Sequence, residues 1–362
     1  MQENNIFDNE KGISGEELSP DIPKTEEESP KPEVKYVQYI PYGLTPETYE
    51  EKKNLRKTLN AASVSVIAVD VLSIIISLSV SVFLMFLGFS MEKTMEIMQD
   101  SAFLHLFQVV FSSVVFTVPF ILIYKIFKFR ISDLIEFKLK KNENLIYILL
   151  IGASFCSFAN IAVSYAGQIF NSFGINYEVD FGDNPRGISG FLLTFISTAI
   201  IPALVEEFAF RGIMLGSLKK FGEGFAVLIS SVLFGAIHGN FQQIPFAFLV
   251  GLILGFVTVK TKSIIPAMII HCFNNAVSVM FDYAFQNESI LMQNVIYTVF
   301  LSVMLSIGIF AICKIKETEK LFSLKKAETS ATESQKLKWV FTSPLVIVAL
   351  VLFFISSLQF FR

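Results

Sequence analysis

Charge is scarce in this chain of 362 residues. Asp, Glu, Lys and Arg make up 17% of it, against about 25% in ordinary soluble domains. Cysteine is scarce too: Cys156, Cys272 and Cys313 form no CxxC pair, so the spacing offers neither a disulfide framework nor a thiolate metal site. No HExxH occurs, which excludes a zincin-type centre. No phosphate loop, nucleotide fingerprint or basic footprint is present, so nucleic acid is not an expected partner. The N-terminus lacks the basic start and short apolar stretch of a cleaved signal peptide.

What the chain has is apolar sequence, 53% of it hydrophobic with 39 Phe. Runs long enough to cross a bilayer recur, so the lipid bilayer is the solvent. The fold expected is all-α, a polytopic transmembrane helix bundle. Nine spans are expected, near 61–89, 103–124, 145–171, 190–218, 224–239, 242–259, 263–285, 289–313 and 339–361. The fifth is short, which suits a helix ending in a cavity. Residues 1–44, rich in Glu, Pro and Ser, read as a disordered acidic tail. Thr45 and Pro46 read as the N-cap and first position of a basic juxtamembrane helix over 45–60. The transmembrane domain then occupies 61–362.

Charge position tests that count. When the loops alternate sides, 21 of the 29 Lys and Arg fall on one side, and only Lys93, Arg186 and Arg362 on the other. The positive-inside rule then predicts a multi-pass protein of the cell membrane with a cytoplasmic N-terminus and an external C-terminus.

Against this background, ionisable residues inside the spans stand out, because each costs roughly 2.5–3.5 kcal/mol at the bilayer centre. Span four carries Glu206, Glu207 and Arg211. Glu207 and Arg211 are four apart and can pair on one helix face, which would make them a structural ion pair. Glu206 is left without a local partner. Its carboxyl in a low dielectric suits a general base or acid. Of the three histidines, His105 falls near the outer interface, His238 ends span five, and His271 shares a face of span seven with Asn275. Asn274, three on from His271, is an alternative to Asn275. Glu206 and His238 lie 13 and 14 residues from the turn between their spans, so both sit about 20 Å deep at 1.5 Å per residue. The same count puts Asn275 level with them and His271 about 6 Å shallower. Interhelical hydrogen bonding is a rival role for His271 and Asn275. Asp70 is placed near the inner interface and Asp282 at a solvated helix end. Gly251 and Gly255 allow close helix approach.

Glu206-Glu207-x-x-x-Arg211, Phe234-x-x-x-His238 and His271-x-x-x-Asn275 together resemble the CPBP family of intramembrane proteases, also called the CAAX protease, bacteriocin-processing or Abi family. The resemblance covers about 190–285. It implies hydrolysis of a peptide bond within the membrane. The substrate would be a membrane protein, a prenylated protein or a peptide. Glu206 and His238 would activate water, His271 and Asn275 would stabilise the oxyanion, and Glu207 with Arg211 would hold the geometry. No cofactor is required by these residues. Zinc is possible by the resemblance, and Glu206, His238 and His271 would then be its ligands. Two readings from other classes stay open: a proton-coupled transporter using the buried Glu and His, and a non-catalytic immunity or scaffold protein.

Overall fold

The computed structural model describes residues 40–41, 43–139, 141–172, 185–241, 243–285, 287–315 and 321–358, with the backbone alone over 162–171. Nearly all of the expected acidic tail lies outside these residues. Among the described residues the regular structure is helical throughout, with no strand.

Thr45 caps the first helix, its side chain accepting from Thr48 N, and Pro46 opens it. This helix, α1 (Pro46–Phe86), runs 41 residues without a break. The expected juxtamembrane helix and first span are therefore one element. At 1.5 Å per residue it is about 60 Å long, twice the bilayer core, so its basic first third projects beyond the lipid. Then follow α2 (Met91–Gln99), α3 (Ser101–Ile126) and α4 (Leu145–Ser172). The long helical run α5 (Gly187–Phe221) contains two π-helical stretches, Phe195–Ile200 and Phe208–Leu215. It is followed by α6 (Glu223–Ala236), α7 (Gln243–Thr261), α8 (Ile265–Phe285) and α9 (Ile290–Lys314). The last two are α10 (Glu333–Phe341) and α11 (Pro344–Leu358).

Five of these helices, α1, α3, α5, α7 and α9, are long and apolar enough to cross a membrane. The pair α10 and α11 passes the same test together but is bent by 61°. The first part of α4 and all of α6 are shorter apolar helices, while α8 is less apolar because His271, Asn274 and Asn275 occupy its middle. The protein is a multi-pass membrane helix bundle, and nine is an approximate span count. The ninth expected span begins at 344 rather than 339. Proline disfavours helical backbone in the residue before it, and the chain breaks at Thr342 and Ser343, just ahead of Pro344.

The helices pair closely, α6 with α7, α4 with both α7 and α9, and α1 with α3 and α11. Small residues permit this. A Cβ on Gly251 of α7 would lie 3.0 Å from Ser231 Cβ of α6, and one on Gly235 of α6 would lie 3.0 Å from Ile244 O.

The basic segments gather at one end of the bundle. Lys219 pairs with Glu136, Lys57 and Lys220 lie over the Phe129 ring, and Lys52 lies over Trp339. Lys260 donates to Ser323 O, and Glu223 exchanges two backbone-linked hydrogen bonds with Lys325. The buried Lys336 ammonium donates to Phe221 O and to Glu333, both at 2.6 Å. These contacts join the start of α1 to the loops after α3, α5, α7 and α9.

Candidate active site

Glu206 and Glu207 close the α-helical stretch Ile201–Glu207 of α5, and the π-helical stretch that follows carries Arg211. Glu207 and Arg211 are buried. Arg211 Nη1 donates to Glu207 Oε1 at 2.9 Å, and Nη2 donates to Gly251 O of α7 at 3.3 Å. The guanidinium also stacks 4.1 Å from the Phe234 ring centre of α6. Neutralising the carboxylate, satisfying part of the guanidinium and covering its face together reduce the cost of burying this charge pair.

The same Glu207 oxygen takes a second contact, from His271 Nδ1 of α8 at 2.9 Å. A carboxylate only accepts, so Nδ1 carries a proton, and Nε2 is the nitrogen turned away from Glu207. That nitrogen lies 3.9 Å from Glu206 Oε2. His271 thus stands between the two glutamates. Depth counted along straight helices puts Asn275 level with Glu206, whereas the structure sets His271 there. A count at 1.5 Å per residue assumes regular helices, and α5 is not regular over 195–215.

His238 lies just past the end of α6, which stops at Ala236. Its Nδ1 donates to Phe234 O at 2.8 Å, which leaves Nε2 as the acceptor of the neutral ring. Phe234 meets His238 edge-on at 5.0 Å and His271 at 6.2 Å between ring centres. Among the described residues no hydrogen bond or ion pair joins Glu206 to His238. The two are linked through Phe234 and His271.

Asn275 sits one turn beyond His271 on α8. Its Nδ2 donates to Thr198 O, in the first π-helical stretch of α5, at 3.0 Å. Its Oδ1 accepts from Asn274 Nδ2 at 3.2 Å, and Asn274 Oδ1 accepts from Asn160 Nδ2 of α4 at 3.1 Å. Asn160 is not among the residues expected at the site, although an asparagine within the apolar run Ser157-Phe158-Ala159-Asn160-Ile161 is a signal of the same kind as a histidine within a span. His105, expected near the outer interface, lies with Nδ1 2.7 Å from Ser197 Oγ, beside a Thr194–Tyr283 hydroxyl contact of 3.1 Å. Asp70 and Asp282 take no part in these contacts.

Zinc finds no converging donor set. Among the described residues no group of three or more His, Cys, Asp and Glu is placed to hold a metal ion. His271 gives Nδ1–H to Glu207 and His238 gives its own to a backbone carbonyl, which leaves both Nε2 atoms available. Those nitrogens and Glu206 do not converge on one point, so as arranged they do not fit a zinc ion.

All six candidate residues lie within 188–277, the stretch that matches the family described as type II CAAX prenyl endopeptidase Rce1-like. Over that stretch the chain is similar to this CAAX protease family. Over 91 residues it is 33% identical to the membrane-embedded CAAX protease MroQ of Staphylococcus aureus (strain USA300), which covers 23% of this chain and 37% of MroQ. Over 116 residues it is 32% identical to YdiL of Bacillus subtilis (strain 168), named as a membrane peptidase, covering 30% of this chain and 46% of YdiL. The chain thus spans less than half the length of either relative. No solved structure matches it.

Proposed function

We propose that this protein is an intramembrane endopeptidase that hydrolyses a peptide bond of a membrane-associated or prenylated polypeptide. The observation that carries the reading is the His271 ring, held by Glu207 at Nδ1 and facing Glu206 with Nε2, inside a CAAX protease domain. Glu206, Glu207, Arg211 and His271 sum to zero charge when one proton is shared between Glu206 and His271. A neutral cluster suits the low-dielectric surroundings of a bilayer.

In the hydrolytic step, Glu206 takes a proton from a water that also hydrogen-bonds His238 Nε2, and the oxygen attacks the scissile carbonyl. Protonated His271, donating from Nε2, and the second Nδ2 hydrogen of Asn275 receive the developing oxyanion. The Glu206 proton then passes to the leaving amine as the C–N bond breaks. Glu207 and Arg211 fix the imidazole. The catalytic core lies within 190–285 of a membrane domain over 61–362. The basic end of the bundle faces the cytoplasm, with the N-terminus, and the C-terminus lies outside.

The test is membrane proteomics of cells carrying Glu206→Ala in place of the wild-type protein. Loss of a general base lowers turnover by about 10²–10⁴-fold, so an uncleaved membrane polypeptide should accumulate while the variant itself stays at its normal level. An unchanged membrane proteome at equal protein level would sink the assignment and leave transport or scaffolding as the role of the buried Glu and His.

A further inference from the structure

We propose that Asn160, on α4 and outside the matched CAAX protease domain, is a positioning residue that orients Asn275 through Asn274. The proposal rests on the hydrolytic reading above, in which Asn275 receives the oxyanion.

Two backbone carbonyls set the direction of the relay. Thr198 O, 3.0 Å from Asn275 Nδ2, can only accept, so Asn275 must present its amino group there. Its Oδ1 then requires a donor, which is Asn274 Nδ2 at 3.2 Å. Asn274 in turn presents Oδ1 outward, and Asn160 Nδ2 meets it at 3.1 Å. At the far end Asn160 Nδ2 also lies 3.4 Å from Cys156 O, a second acceptor that holds the Asn160 amino group toward the site. Each amide in the row has one orientation in which every contact pairs a donor with an acceptor. Asn274 is buried, so reversing any amide in the row leaves like poles in contact away from bulk water.

The consequence concerns one hydrogen. Asn275 Nδ2 has two, and Thr198 O takes one. The other is the oxyanion donor, and its direction is set by the row behind it. Asn160 touches no substrate atom. Its effect on catalysis passes through the direction of that bond.

Two variants test this. Asn160→Leu removes the donor at similar volume, and Asn160→Asp puts an acceptor in its place. The full chain is solubilised in detergent with 15N in the asparagine side chains, and the Asn275 amide is identified as the signal lost in Asn275→Ala. That signal should move in both variants, and further in Asn160→Asp, where Asn274 must reverse. An unmoved Asn275 signal in either folded variant overturns the proposal. The second readout is kinetic and uses the polypeptide that accumulates in Glu206→Ala membranes. For a donor that acts in the transition state, kcat should fall about tenfold or more while KM changes by less than about twofold. Wild-type kcat, or a change confined to KM, overturns the proposal as well. If nothing accumulates in Glu206→Ala membranes, it is the hydrolytic reading that fails, and the amide signal still decides whether Asn160 orients Asn275.

Discussion

Truncating Arg211 would leave Glu207 buried with His271 as its remaining hydrogen-bond partner among the described residues, and truncating Glu207 would strand the guanidinium against Phe234 and one carbonyl. Breaking a buried pair from one side costs about 3–5 kcal/mol, whereas replacing both partners with apolar groups of similar size is often close to neutral. Arg211→Met is therefore expected to lower the amount of folded protein in membranes and its melting temperature in detergent. The double variant Glu207→Leu with Arg211→Met should recover most of that loss. It should not recover cleavage, because His271 Nδ1 loses the carboxylate that fixes its proton. Equal melting temperatures for Arg211→Met and the double variant would show that the pair does not hold the fold. The Glu207 and Arg211 contact was legible in the sequence because it is local, four residues along one helix. The contacts that give the site its shape were not. His271 to Glu207 spans 64 positions, Asn275 to Thr198 spans 77 and Asn160 to Asn274 spans 114, and only the packing of α4, α5 and α8 brings them together.

Helices α6 and α7 meet where Gly251 lies against Ser231, and the carbonyl of Gly251 is also an acceptor for Arg211. A larger side chain there pushes the two helices apart and moves that carbonyl. Overpacking of a tight contact costs about 1–3 kcal/mol, so Gly251→Val should melt several degrees lower in detergent and lose cleavage out of proportion to the loss of folded protein. Unchanged melting and turnover would mean that the crossing has slack. Elements whose cause is local were readable from the chain. Thr45 with Pro46 marks the start of α1, and the early stop of α6 fits the short fifth span. Two kinds of feature were not readable. The π-helical stretches of α5 add a residue to the turn without any residue type that demands it, although such stretches recur at functional sites. The break between α10 and α11, at Thr342 and Ser343, is masked by the apolar run just before it, Trp339-Val340-Phe341, which reads as the start of a span, although Pro344 is a local sign of the break. It is the buried Lys336 and the Lys52 contact to Trp339 that hold α10 at the basic end.

For the molecule as a whole, the open question of direction falls on that bent pair. A bend of 61° fits either a broken span or a helix that dips into the membrane and returns. The contacts of α11 favour crossing. Its neighbour α10 is fixed to the turn between α5 and α6 through Lys336 and Phe221 O. Fifteen residues of α11 then cover about 22 Å. Near its far end the Phe354 ring meets Phe241 at 5.8 Å between centres, and Ser356 approaches Gly239. Residues 239–241 lie beyond the end of α6, at the opposite end of that helix from Phe221. A helix that starts just after α10, which is held at Phe221, and ends beside Phe241 has moved from the basic end toward the other face. In the proposed orientation, with the basic end in the cytoplasm, alkaline phosphatase fused after Arg362 should be active and a fluorescent protein there dark, while both reporters fused after Lys326 should behave in the opposite way. Cytoplasmic behaviour at both positions would make α11 a returning segment and take the C-terminus back inside.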